Sequence, residues 1–170
     1  MLKAIGARIL VTAGSDAKCE RCLALGADAA VNYRTGDFVA EAQRATGGVG
    51  VDVVLDSIGA AYFEKNLAAL RTGGRLVLIG LMGGAKTEVN LAALLARRLS
   101  VIGSTLRTRS LAEKAAIVEG FRARFGRELE AGTLRPVVDR VLPLAQAAEA
   151  HRLLEASEHF GKVVLRVAEL

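Results

Sequence analysis

The sequence has no tryptophan, only two prolines, two cysteines and two histidines, and aromatic residues make up 4% of its 170 positions. Each shortage removes a class of protein. The cysteines, Cys19 and Cys22, form one C-x-x-C with no second pair and no histidine at metal-ligand spacing, so no metal motif is legible. On a helix Cys19, Cys22, Leu23 and Gly26 share one face, which reads as two small residues turned toward a sheet, with a redox pair as the alternative. The histidines, His151 and His159, lie near the C-terminus, and no nucleophile–base constellation surrounds them. Apolar runs are short and broken, which argues against a transmembrane helix. Met1-Leu2-Lys3 passes directly into patterned sequence without signal-peptide architecture, and a cytoplasmic protein is expected. The net charge is +5, but the arginines lack aromatic interleaving and no recognition motif accompanies them. Nucleic-acid binding is therefore not expected.

What is abundant is Ala, Val, Leu and Gly, within a hydrophobic content of 52%. Val- and Ile-rich runs between Ala/Leu segments suit strands of a covered parallel sheet joined by helices. The predicted strands are Arg8–Ala13, Ala29–Tyr33, Val51–Asp56, Arg75–Gly80 and Ser100–Ser104. Between them helices are predicted from Ser15 or Asp16 to Leu25, from Asp37 to Thr46, over Tyr62–Leu70 and over Asn90–Ala96, with Thr72-Gly73-Gly74 as a tight turn. This alternation is the rhythm of a doubly wound α/β sheet of Rossmann type. From Leu111 it changes to a long helix, Leu111–Phe125, and then to strands Val137–Leu142 and Lys162–Val167 flanking a helix over Ala145–Glu155. Pro143 is placed near the start of that helix.

Leu2 to Asn32 read as helix end, strand, helix, strand, the second half of a dinucleotide-binding βαβ unit. The first strand and glycine-rich phosphate loop of such a unit have no counterpart in the pattern. Gly47-Gly48-Val49-Gly50 resembles a glycine fingerprint, but it precedes a strand instead of joining strand to helix, so it reads as a helix stop and turn.

Ligands of open α/β sheets sit at the carboxyl ends of the strands. After the first strand come Gly14, Ser15 and Lys18. A lysine in the first turn of a helix opposes the helix dipole, which points to an anion nearby, and a 2′-phosphate would bond Ser15 Oγ and helix N–H groups and pair with Lys18. Asp16 argues the other way, either as a cap or as the acid of an NAD-type ribose site. Tyr33 and Arg34 end the second strand, where the hydroxyl could donate to a ribose phosphate and the guanidinium stack on adenine. The turns at Asp56-Ser57-Ile58-Gly59 and Ile79-Gly80-Leu81-Met82-Gly83-Gly84 permit close backbone approach by a ligand, or are plain β-to-α turns. Arg107, after the Ser100–Ser104 strand, reaches a phosphate or faces solvent.

The strings ARILVTAGSDAKCERCLALGADAAVNYR, VDVVLDSIGAAYFEKNLAALRTGGRLVLIGLMGG, LSVIGSTLRTR and EAHRLLEASEHFGKVVLRV together resemble the quinone oxidoreductases of the medium-chain dehydrogenase/reductase superfamily. The LMGG and STLRTR details resemble its p53-inducible branch. The resemblance implies a zinc-free, NADPH-dependent reductase of quinones. Its cofactor domain would be an incomplete Rossmann-type domain over residues 1–125, and residues 126–170 would belong to the substrate domain. It also implies a homodimer through the Ser100–Ser104 edge strand. By position it assigns Gly14, Ser15, Lys18 and Tyr33 to the 2′-phosphate and adenosine ribose, and Ser57 to the adenosine side. Ile79, Gly80 and Met82 fall to the nicotinamide side, with Leu106, Arg107, Gly161 and Lys162 as further cofactor contacts. The family's N-terminal substrate domain and pyrophosphate loop have no counterpart in these strings. Weak NADPH binding without quinone turnover is therefore expected, and a non-catalytic dinucleotide-binding or dimerisation module is the competing reading.

Overall fold

The computed structural model describes residues 1–168. They divide into two compact units, residues 2–114 and residues 115 onward. The division falls inside the long helix, a few residues after Leu111, where the rhythm of the sequence changes.

The first unit alternates strands and helices, and all its strand pairs are parallel. After a 3-10 turn at Lys3–Ile5 come β1 (Leu10–Ala13), α1 (Asp16–Ala24), β2 (Ala29–Asn32), α2 (Phe38–Ala45) and β3 (Val51–Asp56). Next are α3 (Phe63–Ala69), β4 (Leu70–Leu78), α4 (Leu91–Arg97) and β5 (Ser100–Gly103). The strands form two sheets, β1-β2 and β3-β4-β5.

Local chemistry sets the helix ends. Ser15 caps α1, its side chain accepting from Lys18 N, and Asp37 caps α2 by accepting from Val39 N. At the far end of α2, Thr46 Oγ1 donates to Ala42 O at 2.7 Å and accepts from Gly50 N at 2.8 Å. Gly48 N also donates to Gln43 O, so the Gly47–Gly50 run is a helix stop, as its place before a strand implied. Gly50 has φ 94°, and a Cβ there would lie 2.7 Å from Arg71 N, which requires glycine.

Three boundaries differ from expectation. Thr72-Gly73-Gly74 is part of β4, which starts at Leu70 and ends at Leu78. Pairing with β3 jumps from Val51↔Leu70 to Val53↔Arg75, so the glycines form an irregularity within the strand, and the turn begins only at Ile79. The long helix, α5, runs Leu111–Glu130 and ends five residues beyond the predicted Phe125, continuing through Gly126. Pro143 ends a strand, β6, and precedes a 3-10 turn at Leu144–Gln146 that leads into the following helix.

The core of the first unit has two centres. Val31, Phe38, Ala42 and Ala69 join β2, α2 and α3, and Leu10 and Val51 pack against them. Leu67, Leu70 and Leu76 form the other centre under α3 and α4. Leu70 and Leu76 are fully buried, each contributing about 1.5–3 kcal/mol of transfer free energy. The sequence predicted a wholly buried VDVVLD strand, but Val53 and Leu55 are exposed. Side chains alternate along a strand, so Val54 joins the apolar cluster while Val53 and Leu55 on either side of it do not, and Val51 joins it from before the irregularity between Val51 and Val53.

In the second unit β6 (Val138–Pro143) and β7 (Lys162–Arg166) flank α6 (Ala147–Glu155) and pair with each other in parallel, Val138 opposite Lys162. Ala150 and Leu153 of α6 are buried, as is Phe125 of α5.

Candidate functional site

The carboxyl ends of β1 and β2 meet at Gly14 and Tyr33. Tyr33 N donates to Ala13 O at 3.0 Å, which aligns the two strand ends. A Cβ on Gly14 would lie 2.7 Å from the Tyr33 hydroxyl, so the tip of the exposed tyrosine rests against Gly14. The first turn of α1 begins beside it, and Ser15 Oγ accepts from Lys18 N at 3.3 Å. A phenol, a serine hydroxyl and the first-turn N–H groups of α1 thus share one edge of the sheet, with Lys18 in that same turn. Such a set suits an anion. The Arg34 side of the turn is exposed.

The Tyr33 ring packs edge-on against Tyr62, centroids 6.3 Å apart, and Tyr62 packs on Phe38 at 5.5 Å. Burial raises the Tyr62 phenol above its ordinary pKa, and Tyr33 adds to the effect. Tyr62 follows the β3 turn, so this aromatic contact ties the β2 end to the β3 end.

At β3 the buried Asp56 carboxylate accepts from Ile58 N and Gly59 N, each at 2.8 Å. The turn after β4 is laced to that loop. Ile79 N donates to Asp56 O, Met82 N to Ser57 O, Gly83 N to Ile58 O and Ala60 N to Gly84 O, at 2.7–3.1 Å. Glycine is required on both sides: a Cβ on Gly59 would meet Gly84 O at 2.7 Å, and one on Gly80 would meet Ser57 O at 2.9 Å. The two loops form one backbone-bonded ledge. Ile79 and Met82 project from it, 51% and 79% exposed, as apolar side chains without cover. After β5, Ser104 N donates to Leu78 O, and Leu106 and Arg107 lie exposed in the turn beyond.

The first unit therefore carries Gly14, Ser15, Lys18, Tyr33, Ser57, Ile79, Gly80, Met82, Leu106 and Arg107 at strand carboxyl ends. Gly161 and Lys162 belong to the second unit, at the start of β7. Gly161 has φ 106°, a Cβ there would collide with Val137 O, and Lys162 N donates to that same oxygen.

Some participants were not evident from sequence. Asp56 organises the ledge, and an Asp followed three positions later by Gly at a strand end is a signal that could have found it. The Tyr33–Tyr62 contact spans residues distant in the chain and left no local trace. Nor did the clamp at the end of α3, where the Arg97 guanidinium donates to Leu67 O at 3.0 Å and to Leu70 O. Asp16, which the sequence left between two roles, has its carboxylate bound by Asn32 Nδ2 at 2.8 Å.

The match to known proteins follows this architecture. Residues 25–165 match the model of the zinc-binding dehydrogenase family. The chain belongs to that family. A 2-haloacrylate reductase of a Burkholderia species is 32% identical over 166 residues, covering 95% of this chain and 48% of its own. A solved structure described as an NAD-dependent alcohol dehydrogenase is 44% identical with a TM-score of 0.82, covering 98% of this chain and 46% of that one. The quinone oxidoreductase of Thermus thermophilus, solved also as its complex with NADPH, is 37% identical with a TM-score of 0.81, covering 98% and 52%. The chain thus spans about half the length of the relatives it matches. With these relatives it falls in the medium-chain dehydrogenase/reductase superfamily and carries part of a Rossmann-type domain.

The family description invites a test for zinc. Among the described residues no three His, Cys, Asp or Glu side chains gather as a ligand set. Cys19 is buried, and desolvation first, with Asp16 second, holds its thiol above the ordinary value. His159 Nδ1 faces Leu153 O at 3.3 Å within the second unit. Zinc is held by deprotonated cysteine, histidine or carboxylate groups gathered around one point, and among the described residues none gather so, which does not fit a zinc ion. No step is assigned to one.

Proposed function

We propose that the chain is the cofactor-binding portion of an NADPH-dependent quinone oxidoreductase. The observation that carries this is the Tyr33 hydroxyl seated over Gly14 beside the Ser15-capped start of α1, with Lys18 in the same turn. That edge would hold the adenosine 2′-phosphate, with Ser57 on the adenosine side. The ledge bearing Ile79, Gly80 and Met82 would lie along the nicotinamide ribose, and Leu106 and Arg107 would meet the cofactor again. The family resemblance adds Gly161 and Lys162, of the second unit, as further cofactor contacts. When bound, the reduced nicotinamide supplies a hydride from C4 to the quinone. The chain's own part is to bind and orient. The Asp56-braced ledge fixes backbone position, and the exposed apolar side chains of Ile79 and Met82 would exclude water from the reacting face. No side chain of this chain is assigned a proton-transfer role.

The relatives support a nicotinamide cofactor but divide over its kind, since one solved neighbour is described as NAD-dependent and another is solved with NADPH. The bound state of Asp16 favours NADPH, because an NAD-type ribose site needs a carboxylate available to the 2′-hydroxyl. Titration with NADPH and NADH tests the reading. Tighter binding of NADPH, lost on Lys18→Ala, is the expected result, and equal affinities would sink the 2′-phosphate assignment.

A second reading, a non-catalytic dinucleotide-binding or dimerising module, rests on β5. Val101 and Ile102 there are 40% and 42% exposed on a sheet-edge strand. A homodimer through Ser100–Ser104 would cover them and continue the sheet. No helix among the described residues is long and apolar enough to cross a membrane, and a cytoplasmic setting suits a nicotinamide-dependent enzyme.

A further inference from the structure

We infer that Asn32 sets the choice between a 2′-phosphate and a 2′-hydroxyl by holding the Asp16 carboxylate out of the ligand edge; the inference rests on the NADPH reading above. Asp16 is the first residue of α1, directly after the capping Ser15. A carboxylate free to turn toward a bound 2′-phosphate would repel it and would instead accept from a 2′-hydroxyl. Here one of its oxygens is engaged by a neighbour. Asn32 Nδ2 donates to Asp16 Oδ1 at 2.8 Å, and Asn32 Oδ1 accepts from Arg34 N at 3.1 Å. Both ends of the amide are used, so its orientation is fixed and the NH2 group is the end presented to Asp16.

The placement agrees. Asp16 and Asn32 line one shallow depression together with Thr35, Asp37 and Arg44. None of Gly14, Ser15, Lys18 and Tyr33 lines it. Asp16 thus lines, with Asn32, a depression that those four residues do not, although it is next to Ser15 in the chain. Asn32 touches no ligand in this scheme. It is a positioning residue whose effect passes through Asp16.

The test uses the whole chain and two small probes, adenosine 2′,5′-bisphosphate and adenosine 5′-monophosphate, which differ only at the 2′ position. Wild type should prefer the bisphosphate. Asn32→Ala should cut that ratio about tenfold, the effect of one unscreened like charge at the site's edge. Asp16→Ala placed on top of Asn32→Ala should restore the ratio, because the acid that Asn32 restrains is then gone. A merely structural asparagine would weaken both probes alike, and the second substitution would not repair the loss. In the ligand-free chain, Asp16→Ala should also shift the Asn32 side-chain amide resonances. A wild type without preference would overturn the NADPH reading and this inference with it. A wild-type preference that survives Asn32→Ala, or a loss that Asp16→Ala fails to restore, would overturn this inference alone.

Discussion

Replacing Asp56 with alanine should loosen the ledge at the ends of β3 and β4 and cost measurable stability. The buried carboxylate accepts two backbone N–H bonds, from Ile58 and Gly59, each at 2.8 Å. Hydrogen bonds to a charged group contribute roughly 1.5–3 kcal/mol each, and a buried donor left unpaired bears its full desolvation cost. Gly59 is buried while Ile58 is half-buried, so water can repair one donor better than the other. The loss should therefore be about 3 kcal/mol rather than the sum of two full bonds. Asp56→Asn retains one carbonyl acceptor and should lose about half as much. Urea unfolding followed by circular dichroism gives the energy. Amide hydrogen exchange gives the location: Ile58 and Gly59 should lose protection first, and Gly83 should follow because its N–H bonds to Ile58 O at 2.7 Å. A loss under about 0.5 kcal/mol, within the range of ordinary surface substitutions, would refute the reasoning. So would Asp56→Asn costing as much as Asp56→Ala, since negative charge would then matter and acceptor geometry would not.

Gly14→Ala would place a methyl 2.7 Å from the Tyr33 hydroxyl; the ring must swing away, and affinity for adenosine 2′,5′-bisphosphate should fall about tenfold in calorimetric titration, or 1.4 kcal/mol. Leu70→Ala removes a side chain with no exposed surface and should cost about 2–5 kcal/mol in chemical denaturation. Stability should also fall in acid. Lys3 donating to Asp28, and Ser110 donating to Glu113, hold these carboxyls below their ordinary values of 3.8 and 4.5. The unfolded chain therefore takes up protons first as pH drops; the stabilisation is complete above those values and is lost as pH falls through the depressed folded ones. Denaturation midpoints measured from pH 7 down to pH 3 should decline below about 4.5, and Asp28→Asn with Glu113→Gln should flatten the decline. Ile102→Asp should leave the chain monomeric in analytical ultracentrifugation if β5 is the dimer edge, whereas an unchanged dimer would place the interface elsewhere.

What was legible in the sequence was what short-range physics decides. Ser15, Asp37 and Asn90 each cap a helix with their own side chain because the bond spans only two or three residues, and a capping residue before an apolar run marks such a start. The glycine-dependent turns could be read for the same reason. Errors arose where a distant partner decides the outcome. Thr72-Gly73-Gly74 looks like a turn in isolation, but pairing with β3 on either side of the irregularity keeps it within β4. VDVVLD carries enough valine and leucine for a strand buried on both faces, yet composition cannot say which faces neighbouring helices cover; Leu55 is 65% exposed. The site divides along the same line. Gly14, Ser15 and Lys18 lie within one turn of each other, and their spacing alone suggested an anion edge. Asp16 sits in that same turn and could not be assigned, because its role depends on Asn32 sixteen positions away. A residue's identity fixes what it can donate or accept; only the sheet register that sets β2 beside β1 decides whether that capacity is spent on a neighbour or left for a ligand. On the proposed reading, selectivity at this edge would depend on strand pairing as much as on the helix N-terminus, and the Asn32 and Asp16 variants separate the two.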